Sequence, residues 1–472
     1  MCSWTDADYI YAKLIIDISR GLSVSKKLVV AIVVSGTMIS GLALCVWLVT
    51  QVAASFGLSK DSENSLDGIA HTLVMAANLS IFLSPEDPHG YSSRAGGLQL
   101  LKEYEAALKD INTAISKDPR VADFHVTRGD IYRDMDKPDL ALLAYKKAIE
   151  VDSKCASAYS SLARFYENEG KLDEATDWFE RGSKVAPHDP AFLSARADFF
   201  KEHDQPEKAL ASFDQIVADN GADESVYVDR ARVLDEMGRS KEALVSLDKA
   251  IELAPTYKYA YEEKADILYE ANRFAEAVTA YSKAIEIEPD NASLYQSRAK
   301  AYEGLHQKKN AQSDYAVALK LHDQSVKDKE QDPDSWHNRG ITLQLQGNMQ
   351  QALSDFQRAD KLSAEDEHAH MRYHIAYCLN KLGRFDDAAA EAQSILQKED
   401  DYSAAYEVLA AAMVGKGNFD QAITLANKAI RLNPDTYDGY ACRAQAYRKL
   451  GKTKLAEADE ETAKLNGETE NY

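Results

Sequence analysis

Residues 156–187 read ASAYSSLARFYENEGKLDEATDWFERGSKVAP. Tyr159, Ala163 and Tyr166 fall on one face of a helix, and Ala175 and Phe179 fall on one face of a second. Gly170 separates the two stripes and Pro187 ends the second, so the segment predicts a helix, a turn and a helix. The same pattern extends in both directions with a period of 34 residues. An alanine marks it: Ala107, Ala141, Ala175, Ala209, Ala243, Ala277 and Ala311, then Ala352, Ala388, Ala422 and Ala456. Two intervals are longer, 41 and 36 residues, which places inserts near 326–332 and 367–368.

With that alanine as position 20, eleven units begin at 88, 122, 156, 190, 224, 258, 292, 333, 369, 403 and 437. Position 8 is always Gly or Ala, as in Gly129, Ala163 and Gly340. Position 4 is usually aromatic and position 24 usually large and apolar, as in Tyr145, Phe179, Tyr281 and Phe356. Small residues at 8 and 20 let paired backbones approach while the large residues fill the space around them. Position-specific residues such as Tyr159, Leu162, Ala163, Tyr166, Gly170, Ala175, Phe179 and Pro187 resemble the tetratricopeptide repeat (TPR). The resemblance implies an all-α fold, a right-handed α-solenoid of about eleven helix-turn-helix units, and a role in binding proteins or peptides. The chain departs from the family pattern at position 7, where Arg94, Arg128, Arg196, Arg230, Arg298, Arg339 and Arg443 replace the usual Leu and make the boundary between groove and core more polar. Unit 369 departs too, with Arg372 at position 4 and Ala392 at position 24.

The 472 residues carry a formal net charge of -21, which repels phosphate backbones and argues against a nucleic-acid partner. Five dispersed cysteines form no disulfide framework or thiolate metal motif. No phosphate loop, nucleophile elbow or HExxH motif occurs, so neither catalysis, a cofactor nor a small-molecule substrate is expected. The candidate metal ligands are His370 and His374, four apart on one helical face, beside Glu367 and His368; they carry the lesser alternative of a metal-dependent enzyme subunit.

Residues 28–50, LVVAIVVSGTMISGLALCVWLVT, carry no charge and as a helix are about 34 Å long, enough to span a bilayer. Lys13, Arg20, Lys26 and Lys27 precede them, so a single-pass topology is expected with a cytoplasmic segment 1–27 and the repeats on the periplasmic or extracytoplasmic side. The competing reading is a signal peptide cleaved after Ala54, releasing the repeats. Residues 51–87 are a linker in which Ile69–Leu83 either caps the first unit or rests on the membrane surface. The repeats then fill 88–470 and leave a tail of 471–472.

Positions 2, 5, 9, 12 and 13 lie opposite the packing stripe of each first helix, and the resemblance makes this face the peptide-binding groove. In units 190, 224 and 258 the face carries Asp198, Glu202, Asp235, Glu236, Glu262, Asp266 and Glu270 against Lys201 and Arg232. In units 333, 369 and 403 it carries His337, Ile341, Leu345, Tyr373, Tyr377, Ala411 and Val414. The first stretch predicts a basic partner segment and the second an apolar one; solvated acid and contact with the solenoid's own next turn are the respective alternatives. The Lys and Asn pair with which the family's chaperone-tail receptors hold a terminal carboxylate is missing at positions 5 and 9.

Overall fold

The structure, a computed structural model, describes residues 66–219, 221–363 and 368–470. The expected segments 1–27 and 28–50, residues 51–65 of the linker, and the tail at 471–472 lie outside them. Within the described residues there are 23 α-helices and no strand, and none of the helices is long and apolar enough to cross a membrane.

Helix α1 (Leu66–Leu83) is followed by eleven helix pairs. These are α2 (Pro88–Leu100) with α3 (Tyr104–Lys117), α4 (Ala122–Asp134) with α5 (Pro138–Val151), α6 (Ala156–Asn168) with α7 (Leu172–Val185), and α8 (Pro190–Glu202) with α9 (Pro206–Ala218). Next come α10 (Glu224–Glu236) with α11 (Ser240–Leu253), α12 (Lys258–Glu270) with α13 (Phe274–Ile287), and α14 (Ala292–Gly304) with α15 (Lys308–Asp328). The last four are α16 (Pro333–Leu345) with α17 (Met349–Leu362), α18 (His368–Lys381) with α19 (Phe385–Leu396), α20 (Ser403–Gly415) with α21 (Phe419–Leu432), and α22 (Tyr437–Lys449) with α23 (Thr453–Glu470). The chain divides into two compact units, residues 1–195 and 196–472, with the division inside α8.

Each pair is built from short-range chemistry. The turn between its helices needs one left-handed residue, and position 15 supplies it: Gly170, Gly238, Gly347, Gly383, Gly417 and Gly451 have φ between 70° and 80°. The same conformation is imposed on Lys102, Asp136, Asp204, Asn272 and His306, at φ from 54° to 60°, where no glycine relieves it. The long interval at 326–332 begins as helix and ends as a turn: α15 runs for 21 residues, to Asp328, where α13 has 14.

Packing follows the small-and-large pattern. All eleven position-20 alanines are buried, and in two units with Gly at position 8 the aromatic ring at position 24 lies over it. A Cβ added at Gly129 would come within 2.4 Å of Tyr145, and one at Gly340 within 2.7 Å of Phe356, so side-chain volume at 24 is matched by its absence at 8. In the first unit α1 covers α2 through Ala70, Val74 and Ala77, and Asn78 accepts a 2.8 Å hydrogen bond from Arg94. Its other face leaves Ile69, Leu73, Leu79, Phe82 and Leu83 exposed, Phe82 by 66%.

Most of the position-7 arginines turn out to be clamps; Arg128 instead meets His125 on its own helix and Asn112 in the pair before. Arg298 donates two hydrogen bonds, of 2.7 and 2.8 Å, to buried Asp314 in its own pair and a third, of 2.9 Å, to Ser282 in the pair before. Arg339 does the same with Asp355 and Asp323, and Arg443 with Asp459 and Asn427. In the first unit Arg94 holds Asp110 in this way. The guanidinium fork thus ties one first helix to the second helices on either side of it, and the polar boundary inferred from the sequence is an ionic ladder inside the stack.

Candidate functional site

The acidic residues sit on α8, α10 and α12 of the second unit. Glu262 and Asp266 are half-buried and Glu270 is exposed. All three carboxyls are raised above their ordinary range, first by burial and then by neighbouring carboxylates: Asp266 acts on Glu262, Glu263 on Asp266, and Asp235 and Asp266 on Glu270, while Lys258 pulls Glu262 and Lys300 and the Tyr281 hydroxyl pull Asp266 the other way. Two of the nearby cations are already engaged: Arg232 donates to Glu263 and, at 3.0 Å, to Asp229, and Lys258 donates to Glu288. Asp266 itself accepts a hydrogen bond from the Tyr281 hydroxyl, as Asp130 does from Tyr145 at 2.8 Å in the first unit. Position 9 to position 24 is therefore an internal tie in these two pairs, a role for Asp266 that its place on the groove face does not reveal. Asp235 accepts from the Ser240 hydroxyl at 2.7 Å, Asp198 lies 3.9 Å from Lys201, and Glu202 and Glu236 are exposed.

The apolar stretch is less open than an exposed patch. Ile341, Tyr373, Tyr377 and Val414 are half-buried against a core formed by Leu343, Phe356, Ile375, Leu379, Leu409 and their neighbours. Leu345 packs on Ala299, Ala311 and Tyr315 instead, and Ala411 is half-buried. Burial pushes the Tyr373 hydroxyl up, and the Lys381 ammonium stands 5.0 Å from the Tyr377 ring centre. Own-chain packing consumes much of this surface, leaving edges of Tyr373 and Tyr377 rather than whole rings.

The histidines do converge. His370 and His374 on α18 are joined by His337 on α16, with ring centres 4.9 Å (His337 to His370), 5.2 Å (His337 to His374) and 4.9 Å (His370 to His374) apart. One ring nitrogen from each lies within 4.8 Å of the other two. Phe356 stacks on His374 at 4.7 Å, and the His374 Nδ1 lies 3.2 Å from the Gln344 Oε1. The His337 ring is lowered to about 4 and the His374 ring to about 3, by burial first and then by the neighbouring imidazoles, so both are neutral. Glu367 and the side chain of His368 lie outside the described residues. Sequence reasoning placed His337 on the groove face without joining it to the pair. The signal was in the phase: position 5 of one unit meets positions 2 and 6 of the next when successive first helices lie side by side.

TPR family models match residues 132–199, 224–257, 265–305, 333–366, 362–404 and 409–468, described as TPR repeat or tetratricopeptide repeat. They cover over half of the chain, which belongs to the tetratricopeptide-repeat proteins. Among solved structures it is similar to yeast Tom70, with 13% identity, 88% of this chain and 96% of that chain covered, and a TM-score of 0.42. A tetratricopeptide repeat protein from Parabacteroides merdae ATCC 43184 gives 17% identity over 55% and 99%, with a TM-score of 0.40. MamA gives 22% over 37% and 96%, with a TM-score of 0.35. No curated protein matches the chain.

Proposed function

We propose that this protein is a membrane-anchored interaction scaffold or assembly factor that holds a basic partner segment against the groove face of α10 and α12. The observation that carries the reading is the excess of carboxyls over cations on this face: Glu262, Asp266 and Glu270 crowd with Glu263 and Asp235, while Arg232 and Lys258 are already paired and Lys300 is the other cation acting on the group, a negative surface that a Lys- or Arg-bearing segment relieves. The role is one of binding and not of catalysis. Tyr373, Tyr377 and Val414 supply an apolar margin for the same partner. Residues 28–50 serve as the anchor, with the N-terminus cytoplasmic and the repeats across the membrane. The apolar outer face of α1, in a helix with no Lys or Arg that begins 16 residues after the end of that span, fits a position at the bilayer surface.

The test is proximity labelling from the full chain, comparing wild type with the doubly substituted Glu262→Gln, Glu270→Gln form. Asp266 is left intact because Tyr281 depends on it. Loss of partners with basic segments from the substituted protein is expected, and an unchanged partner set would sink the acidic-groove reading. Protease protection in intact cells separately checks the topology: repeats cut from the cytoplasmic side refute the anchor's orientation, and a mature N-terminus at Ser55 favours release by cleavage.

A further inference from the structure

We propose that His337, His370 and His374 form a binding site for one divalent late first-row transition-metal ion of the zinc class, with a remaining coordination position open to water or to a ligand from a bound partner. Three nitrogen donors come from two successive first helices, α16 and α18, and no carboxylate or thiolate is among them. An all-imidazole set suits zinc, cobalt, nickel and copper and discriminates against magnesium and calcium, which take oxygen ligands.

Two further observations point the donors inward. The His337 Nε2 is buried and has no hydrogen-bond partner among the described residues, a costly state for a polar atom unless something meets it. The Gln344 Oε1 can accept only from an N–H, so it places the proton of His374 on Nδ1 and leaves the lone pair on Nε2. An outer-shell oxygen that fixes the tautomer of a ligating histidine is the usual companion of such a metal. Phe356, stacked 18° from coplanar with His374, holds that ring and gives the site an apolar wall.

The ligand atoms lie within 4.8 Å of one another, whereas tetrahedral ligands at about 2.0–2.1 Å from zinc are about 3.4 Å apart. Closure therefore requires inward movement of the rings. His370 is exposed and can rotate about its side-chain bonds without disturbing the core, so it is the arm that closes. The bound ion would pin α16 to α18 and so couple the pairs flanking residues 364–367.

The experiment uses the full chain in detergent, stripped with a chelator and titrated with Co²⁺. The visible bands of tetrahedral cobalt should appear with saturation at one ion per chain, and Zn²⁺ should displace them. His370→Gln, which alters an exposed side chain, should weaken Co²⁺ binding at least tenfold with unchanged circular dichroism. His374→Gln should do the same, and Gln344→Ala should cost about tenfold through the lost orientation of His374. Zn²⁺ should raise the thermal midpoint of wild type but not of His370→Gln, and the distant His71→Gln should bind as wild type does. Absence of saturable Co²⁺ binding, or equal affinity in wild type, His370→Gln and His374→Gln, would overturn the assignment and leave adventitious surface binding only.

Discussion

Helices α12 and α18 present the same two groove positions with opposite chemistry. Positions 5 and 9 are Glu262 and Asp266 on α12 but Tyr373 and Tyr377 on α18. On α12 like charges face one another and a hydroxyl from Tyr281 relieves one of them; on α18 the aromatic rings turn into the core beside a knot of three histidines. The backbone scaffold is the same in both, set by small residues at 8 and 20. The difference teaches that these equivalent positions are not interchangeable surface: one region crowds carboxyls of like charge, while the other spends its side chains on its own stack.

The largest expected contrast lies in the clamps beneath the two faces. Arg339 ties Asp355, whose side chain is only 6% exposed, whereas Arg230 ties Asp214, at 51% exposed, together with the Ser246 hydroxyl. Arg339→Ala strands a buried carboxylate and should cost about 3 kcal/mol, while Arg230→Ala should cost about 1 kcal/mol. Denaturation midpoints of the two variants decide, and equal losses would break the comparison.

Acid should then separate the regions. His337 and His374 have folded-state values near 4 and 3, below the 6.5 of an unperturbed imidazole. Between those values and 6.5 the unfolded chain binds more protons than the folded one, so this stability is present above 6.5 and is lost as pH falls through the window. The acidic face runs the other way: carboxyls raised in the folded state resist ionisation, and their mutual penalty shrinks as they protonate. Comparing the pH dependence of thermal stability in wild type and His374→Gln isolates the histidine part, and the variant should lose less stability on acidification. Parallel curves would show that the histidine knot does not resist protonation.

Core volume gives a smaller effect. Ala277 lies in the same buried cluster as Tyr281, so Ala277→Leu should cost about 2 kcal/mol by overpacking. Ala388→Leu, where position 24 is Ala392, should cost less, and chemical denaturation of both would reveal a reversed order. Smaller still, Gly383→Ala forces a side chain into φ 76° and should cost about 1 kcal/mol, whereas Asn272→Gly, at φ 55°, should change the midpoint by no more than about 0.5 kcal/mol.

Much of the fold was legible in the sequence by itself. The 34-residue phase, the position-20 alanines, the small position 8 and the glycines at position 15 all act within one helix pair, where sequence spacing translates directly into geometry. Five of the eleven left-handed turns were not legible, because Lys102, Asp136, Asp204, Asn272 and His306 do not announce that conformation; the packing of the paired helices forces it on them. Tertiary structure alone decided that most of the position-7 arginines clamp polar groups of two neighbouring helices, that Asp266 is committed to Tyr281, that Tyr373 and Tyr377 lean on the core, and that His337 meets His370 and His374. Each of these contacts joins different helices. Their partners are fixed by the rotation and offset at which one helix settles against the next, and periodicity along a single chain carries that only once the stacking is known.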